Sequence, residues 1–298
     1  GEQGLRNAIS HFRAALDIDP LMAVGYAGLA AAHHFLASNF YLPPQVAEPL
    51  AKAAALRALD LDESLAEAHA VLGCVLAHFE RDYGEAENEF KRAIAISPRY
   101  AAAHHWYSFF LILRGRPEEA IREIGMARDL DPLSSRIRPN VGCILILAGR
   151  CDEAAEDLAM VLRTDPSNAM ALAYYSEVLA VRGQYGEAVE EARKAIAMGG
   201  EDMWVELLVA FYQARWGKGE EAERLMAEIA SRYPYVSTVL SAAIYGALGD
   251  LDRAFALLEK AIQERDYDVN WLRSAPEIIQ LSGDPRFSAL LKKYGLDQ

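Results

Sequence analysis

Apolar and polar positions alternate with a helical period along nearly the whole chain, and the clearest instance is residues 101–134, AAAHHWYSFFLILRGRPEEAIREIGMARDLDPLS. An apolar run ends at Gly115. An amphipathic stretch follows, with Ala120 and Ala127 two helical turns apart, and it stops at Asp131-Pro132. The pattern predicts two short helices joined by a glycine hinge. About 34 residues on, the same skeleton returns as Gly149, Ala154, Val161 and Pro166. It returns again as Gly183, Ala188, Ala195 and Gly200, and once more as Gly217, Ala222, Ile229 and Pro234. No segment alternates with period two, so the expectation is an all-α fold made of repeated helical hairpins.

Each skeleton position has a physical reason. Gly115, Gly149, Gly183, Gly217 and Gly249 close the first helix of a unit, where a residue without Cβ can turn left-handed and satisfy orphan carbonyls. The small residues downstream fall where helices cross and let two backbones approach closely. Acidic residues at Glu118-Glu119, Asp152-Glu153, Glu187 and Glu220-Glu221 begin the second helices, where the helix dipole favours negative charge.

Read in order, residues 1–20 match only a second helix, which suggests a piece of a longer polypeptide. A first helix from Ala23 to about Ala37 and a second from about Val46 to Leu61 follow. They are separated by an insertion holding Phe40, Tyr41, Pro43 and Pro44; its aromatics either pack under the loop or touch a partner. The third unit, 66–100, has one extra residue near Arg81-Asp82-Tyr83 and lacks a hinge glycine. The fifth spans 135–168 with Pro139 in its first turn, the sixth 169–202, and the seventh and eighth run from Met203 to about Asp266. Beyond Tyr267 the period lapses. Trp271, Pro276, Ile278 and a helix from about Pro285 read as a cap in which Phe287, Leu290 and Leu291 cover the last hairpin, and which closes the parent chain. The predicted organisation is an array over 1–266 and a capping segment over 267–298.

Composition narrows the function. The chain has 298 residues and a formal net charge of −13, from 43 acidic and 30 basic residues. Nucleic-acid backbones and anionic lipid demand clustered Lys and Arg, so neither is an expected partner of this region. Cys74, Cys143 and Cys151 are too few for a disulfide framework and suit a cytoplasmic setting. No apolar run approaches the roughly twenty residues of a membrane span.

Leu72-Gly73 with Ala86, Phe90 and Pro98, and Gly115 with Ala120, Ala127 and Pro132, resemble the tetratricopeptide repeat (TPR). His69 and His104 stand in the usual aromatic place, and Gly200 and Asp266 replace the closing proline, so looser joints are expected there. The resemblance implies a right-handed α-α superhelix, a TPR solenoid of about eight helical hairpins with a C-terminal capping helix. A finer likeness lies in Tyr26-Ala27-Gly28-Leu29-Ala30, Ala103-His104-His105-Trp106-Tyr107, Leu130-Asp131-Pro132-Leu133-Ser134 and Gly283-Asp284-Pro285-Arg286-Phe287. These are similar to the C-terminal TPR region of bacterial multidomain signalling proteins that carry a cyclase, a winged-helix transcription regulator or a serine/threonine kinase domain.

In such an array the first helices line a concave groove, the default surface for a protein or peptide partner. Projected onto this chain, the groove holds His105, Phe109, Ile112, Arg136, Asn140, Cys143, Tyr174, Glu177, Trp204, Phe211 and Arg215, preceded by Ala31, His34, Ala70 and Cys74. The mostly apolar and aromatic lining suits an amphipathic helix or an extended segment. Self-association and small-ligand sensing are the rival readings. All seven histidines precede Trp106, but His33-His34 and His104-His105 are adjacent and diverge on a helix. Cys74 has histidines near it only in sequence. No metal site, cofactor or catalytic residue is therefore expected.

Overall fold

The computed structural model describes residues 1–199 and 203–296, and among these the regular structure is entirely helical. Helices α1 (Glu2–Ile18), α2 (Ala23–Ser38), α3 (Pro44–Leu61), α4 (Ala66–Val75) and α5 (Tyr83–Ile96) are followed by α6 (Ala101–Leu113) and α7 (Pro117–Leu130). Next come α8 (Ile137–Leu147), α9 (Cys151–Thr164), α10 (Ala169–Val181), α11 (Tyr185–Gly199), α12 (Met203–Arg215), α13 (Gly219–Arg232), α14 (Thr238–Ala247) and α15 (Leu251–Gln263). Short α16 (Pro276–Ile279) and α17 (Pro285–Lys293) complete the chain. Two compact units emerge: Gly1–Leu111 with Arg122–Asp131, and Ile112–Ile121 with Pro132–Gln298. They are called unit 1 and unit 2 below. Gly200, expected in a closing-proline position, lies outside the described residues.

Small residues do sit at the seams. A Cβ on Gly28 would stand 2.3 Å from the ring of Phe12, and one on Gly142 would stand 2.5 Å from Leu158. Ala86 and Ala93 in unit 1, and Ala154, Ala188 and Ala222 in unit 2, are fully buried. The hinge glycines take the left-handed conformation, with φ between +66° at Gly115 and +88° at Gly249. At Gly149 the turn closes as a Schellman motif: Gly149 N–H donates to Ile146 O at 2.9 Å and Arg150 N–H to Leu145 O at 2.8 Å.

Where the third unit lacks its glycine, Arg81 itself adopts φ 60°. The extra residue there is absorbed by a π-helical turn, Leu76–Glu80, that prolongs α4. In the insertion after α2, Tyr41 and Leu42 pack against the α1–α2 core, which supports packing over partner contact for Tyr41.

At His69, His104 and Asp266 the expectation of loose joints is overturned. The ring of His69 bonds Glu89 through Nδ1 (2.5 Å) and the Glu63 carbonyl through Nε2 (3.0 Å). His104 repeats this with Glu123 (2.6 Å) and the Pro98 carbonyl (3.1 Å). Each histidine thus ties its helix both to the following helix and to the preceding turn, which takes two ring nitrogens and which a phenyl ring could not do. The hydrogen bond that His104 Nδ1 donates to Glu123, outweighing the penalty of burial, raises the His104 pKa. Asp266 likewise tightens its joint by accepting from Thr238 N–H (2.7 Å) and Asp268 N–H (3.0 Å).

At the C-terminal end Phe287, Leu290 and Leu291 are buried as a cap requires. Residues 276–283 also return to the first-helix side of unit 2. Gln280 Nε2 donates to Ala243 O at 3.1 Å, and Leu281 fills the space beside Gly246.

Candidate functional site

The first helices of unit 2, α8, α10, α12 and α14, bring one side-chain row into register. Tyr174 stands 34 residues beyond Asn140, one repeat on, and its hydroxyl donates to Asn140 Oδ1 at 2.9 Å. Its ring meets Trp204 edge-on, with centroids 5.6 Å apart. Two residues further along α10, Ser176 Oγ donates to Ala173 O at 2.6 Å and lies 3.3 Å from the Tyr212 hydroxyl. Glu177 on the same helix, which acts electrostatically on both Tyr174 and Tyr212, is buried with Oε1 lacking a hydrogen-bond partner; Gln213 Oε1, also buried, lacks one too.

Burial of Glu177, together with the Glu277 carboxylate from α16, pushes its pKa well above the usual range. Burial raises Glu277 to about 7. Cys143 is raised by burial and then by Glu177, so its thiol stays protonated at neutral pH. Burial also raises Tyr174, with Cys143 and Glu177 adding to the effect. The face therefore presents half-buried rings above a buried pair of acids, Glu177 and Glu277, that could accept a cation or an N–H donor.

The expected lining residues divide. Asn140, Cys143, Tyr174, Glu177 and Trp204 come together as one cluster, with exposed Arg136 electrostatically coupled to Tyr174. Phe211 is buried by packing and meets Tyr212 edge-on at 6.0 Å. Arg215 is exposed but already engaged: Nε donates to the Tyr185 hydroxyl at 3.1 Å and NH1 to Gln280 Oε1 at 3.3 Å. His105 and Phe109 belong to unit 1, where His105 is buried and meets Phe109 edge-on at 5.4 Å. Of the earlier candidates Ala31, His34, Ala70 and Cys74, all but Ala31 are buried.

One expectation fails outright. Cys74 does have histidines near it in space: His34, Cys74 and His78 place their ligand atoms within 4.8 Å of one another in the interior of unit 1. The local sign of this was Cys74-x-x-x-His78, a spacing of one helical turn. It is invisible to a search for paired histidines alone.

Among the described residues no helix is long and apolar enough to cross a membrane. The tetratricopeptide repeat family model matches residues 80–138. No curated protein matches the sequence. Among solved structures the chain is similar to human IFIT1, in a dimer with PPP-AAAA, at 16% identity and TM-score 0.66, covering 95% of this chain and 70% of that one. It is similar to a chain of the APC/C hetero-tetramer Cut9–Hcn1 at 14% identity and TM-score 0.64, covering 97% of this chain and 52% of that one. It is also similar to yeast Tom70 at 15% identity and TM-score 0.58, covering 98% of this chain and 63% of that one. At these identities the likeness is one of fold: the chain has the all-helical fold of TPR solenoids, and the repeat family itself is matched over residues 80–138.

Proposed function

We propose that this chain is a non-catalytic protein-interaction module, an array over 1–266 with a cap over 267–298, that holds a segment of a protein partner on the first-helix face of unit 2. The observation that carries the reading is the Tyr174–Trp204 pair beside Glu177, whose buried Oε1 has no partner. Rings half-open to solvent supply apolar contact area, and an unpaired buried acceptor is a standing deficit that a donor from outside would remove. A partner segment with an apolar or aromatic anchor and a lysine or arginine side chain fits both features. The cation would take up the charge as Glu177 gives its proton to solvent. The sequence likeness described above supports a setting within a larger bacterial signalling or transcription-regulatory protein in the cytoplasm.

The test is site-specific photo-crosslinking in cells, with the reactive side chain placed at Trp204 and, as control, at Glu190, which is exposed on α11. A discrete adduct at 204 and none at 190 is expected. Equal labelling at both positions, or none at 204, would count against the reading. A second reading, self-association, rests on Ile18, Leu21 and Val24, which are 87%, 68% and 59% exposed. Light scattering with and without residues 1–20 distinguishes it, since only self-association predicts a fall from a multiple of the chain mass to the mass of one truncated chain.

A further inference from the structure

The interior of unit 1 holds a polar cluster that the array has no packing use for. His34 on α2 is 3% exposed, Glu48 on α3 is 0%, Cys74 on α4 is 1%, and His78 in the π-helical turn is 7%. A carboxylate, two imidazoles and a thiol gathered together in a core need mutual satisfaction or a bound ion to offset their desolvation.

We propose that His34, Cys74 and His78 form a metal site for one borderline-soft divalent ion, zinc by the chemistry of its donors, with Glu48 orienting His34 from behind. Three observations carry this. The three donor atoms lie within 4.8 Å of one another, a spread that small side-chain movements close around an ion whose bonds are about 2.0–2.3 Å long. The Glu48 carboxylate accepts from His34 Nδ1, at 3.0 and 3.3 Å to its two oxygens. That is the carboxylate–histidine arrangement that fixes the ring and turns Nε2 toward a metal. Cys74 and His78 stand one turn apart, and the irregular π turn Leu76–Glu80 begins between them, a distortion frequent at functional sites.

The shell around the ring is aromatic. His34 stacks with His78 at 6.1 Å and meets Trp106 edge-on at 6.4 Å. Two imidazole nitrogens and one thiolate select zinc over magnesium or calcium, which require oxygen donors. Binding releases the Cys74 proton to solvent. Three protein donors leave the fourth position of a tetrahedral ion to a solvent molecule. The ligands come from α2 and from α4 with its π turn, so the ion would pin the first helices of adjacent hairpins.

The experiment uses the full 298-residue chain, stripped with a chelator and titrated with cobalt(II) as the spectroscopic probe for zinc. One equivalent should produce the visible bands of tetrahedral cobalt together with a thiolate-to-metal charge-transfer band, and one equivalent of zinc should erase both. Cys74→Ser should lose the charge-transfer band, Cys143→Ser should keep it, and Glu48→Gln should keep it with affinity lowered about 10- to 100-fold. Circular dichroism reports whether each variant folds. The wild-type titration needs no variant: absence of the bands at one equivalent overturns the proposal. So does a charge-transfer band that survives Cys74→Ser.

Discussion

Replacing Glu277 with glutamine removes one of two carboxylates that act on each other in the interior of unit 2. Burial raises Glu277 from the usual 4.5 to about 7; Glu177, Cys143, Tyr212 and Asp268 are raised chiefly by their own burial, and the Glu277 charge adds to each. At about 1.4 kcal/mol per tenfold change in proton affinity, moving the group from 4.5 to about 7 corresponds to about 3 kcal/mol. The sign follows from the raised folded-state value. Between pH 4.5 and 7 the folded chain holds a proton that the unfolded chain releases. Stability is therefore greatest below that window and declines as pH rises through it. Wild type should lose stability from pH 5 to pH 8, and Glu277→Gln should lose less. At pH 8 the variant should be the more stable by about 1–3 kcal/mol. Urea denaturation at several pH values reads this in a Trp106→Phe background, where the remaining tryptophans, Trp204, Trp216 and Trp271, all lie in unit 2. Identical pH slopes, or a less stable variant at pH 8, would refute the argument.

Three further outcomes follow from the packing. Gly28→Ala drives a methyl group into the Phe12 ring 2.3 Å away and should destabilise unit 1 by about 1–3 kcal/mol; Phe12→Leu in the same chain should restore part of this in thermal melts. Gly149→Ala meets no neighbour but must hold φ 76°, so a loss of about 1–2 kcal/mol in chemical denaturation is expected from backbone strain alone. His104, whose pKa Glu123 raises, contributes stability that is fully present below its ordinary 6.5 and lost as pH rises through the raised value. His104→Gln should flatten the melting temperature against pH across that range.

What could be read from the chain was what repeats at fixed spacing and acts locally. Hinge glycines announce themselves because each solves the same backbone problem at Gly149, Gly183 and Gly217, and the alanine seams recur with them. The closing helix was legible from Phe287, Leu290 and Leu291, whose spacing marks one buried stripe. The features that escaped join residues from different hairpins. Glu177 and Glu277 meet only because residues 276–283 fold back onto the first helices, and no local pattern encodes that return. Arg215 points to Gln280 for the same reason. The His34–Glu48–Cys74–His78 cluster mixes residue types from three helices. Histidine in place of an aromatic at His69 and His104 looked like weakness because the complementary Glu89 and Glu123 sit on the following helix.

The central claim, that a partner segment lies on the first-helix face of unit 2, is tested most directly by its affinity. With the cross-linked partner segment in hand, its dissociation constant is measured by calorimetry for wild type and for Tyr174→Ala/Trp204→Ala, with unit 2 shown to be folded. Loss of about 2–4 kcal/mol of binding, a weakening of roughly thirty- to a thousandfold, is the expected result for two aromatic anchors at an interface centre. A dissociation constant unchanged by the double substitution would contradict the account.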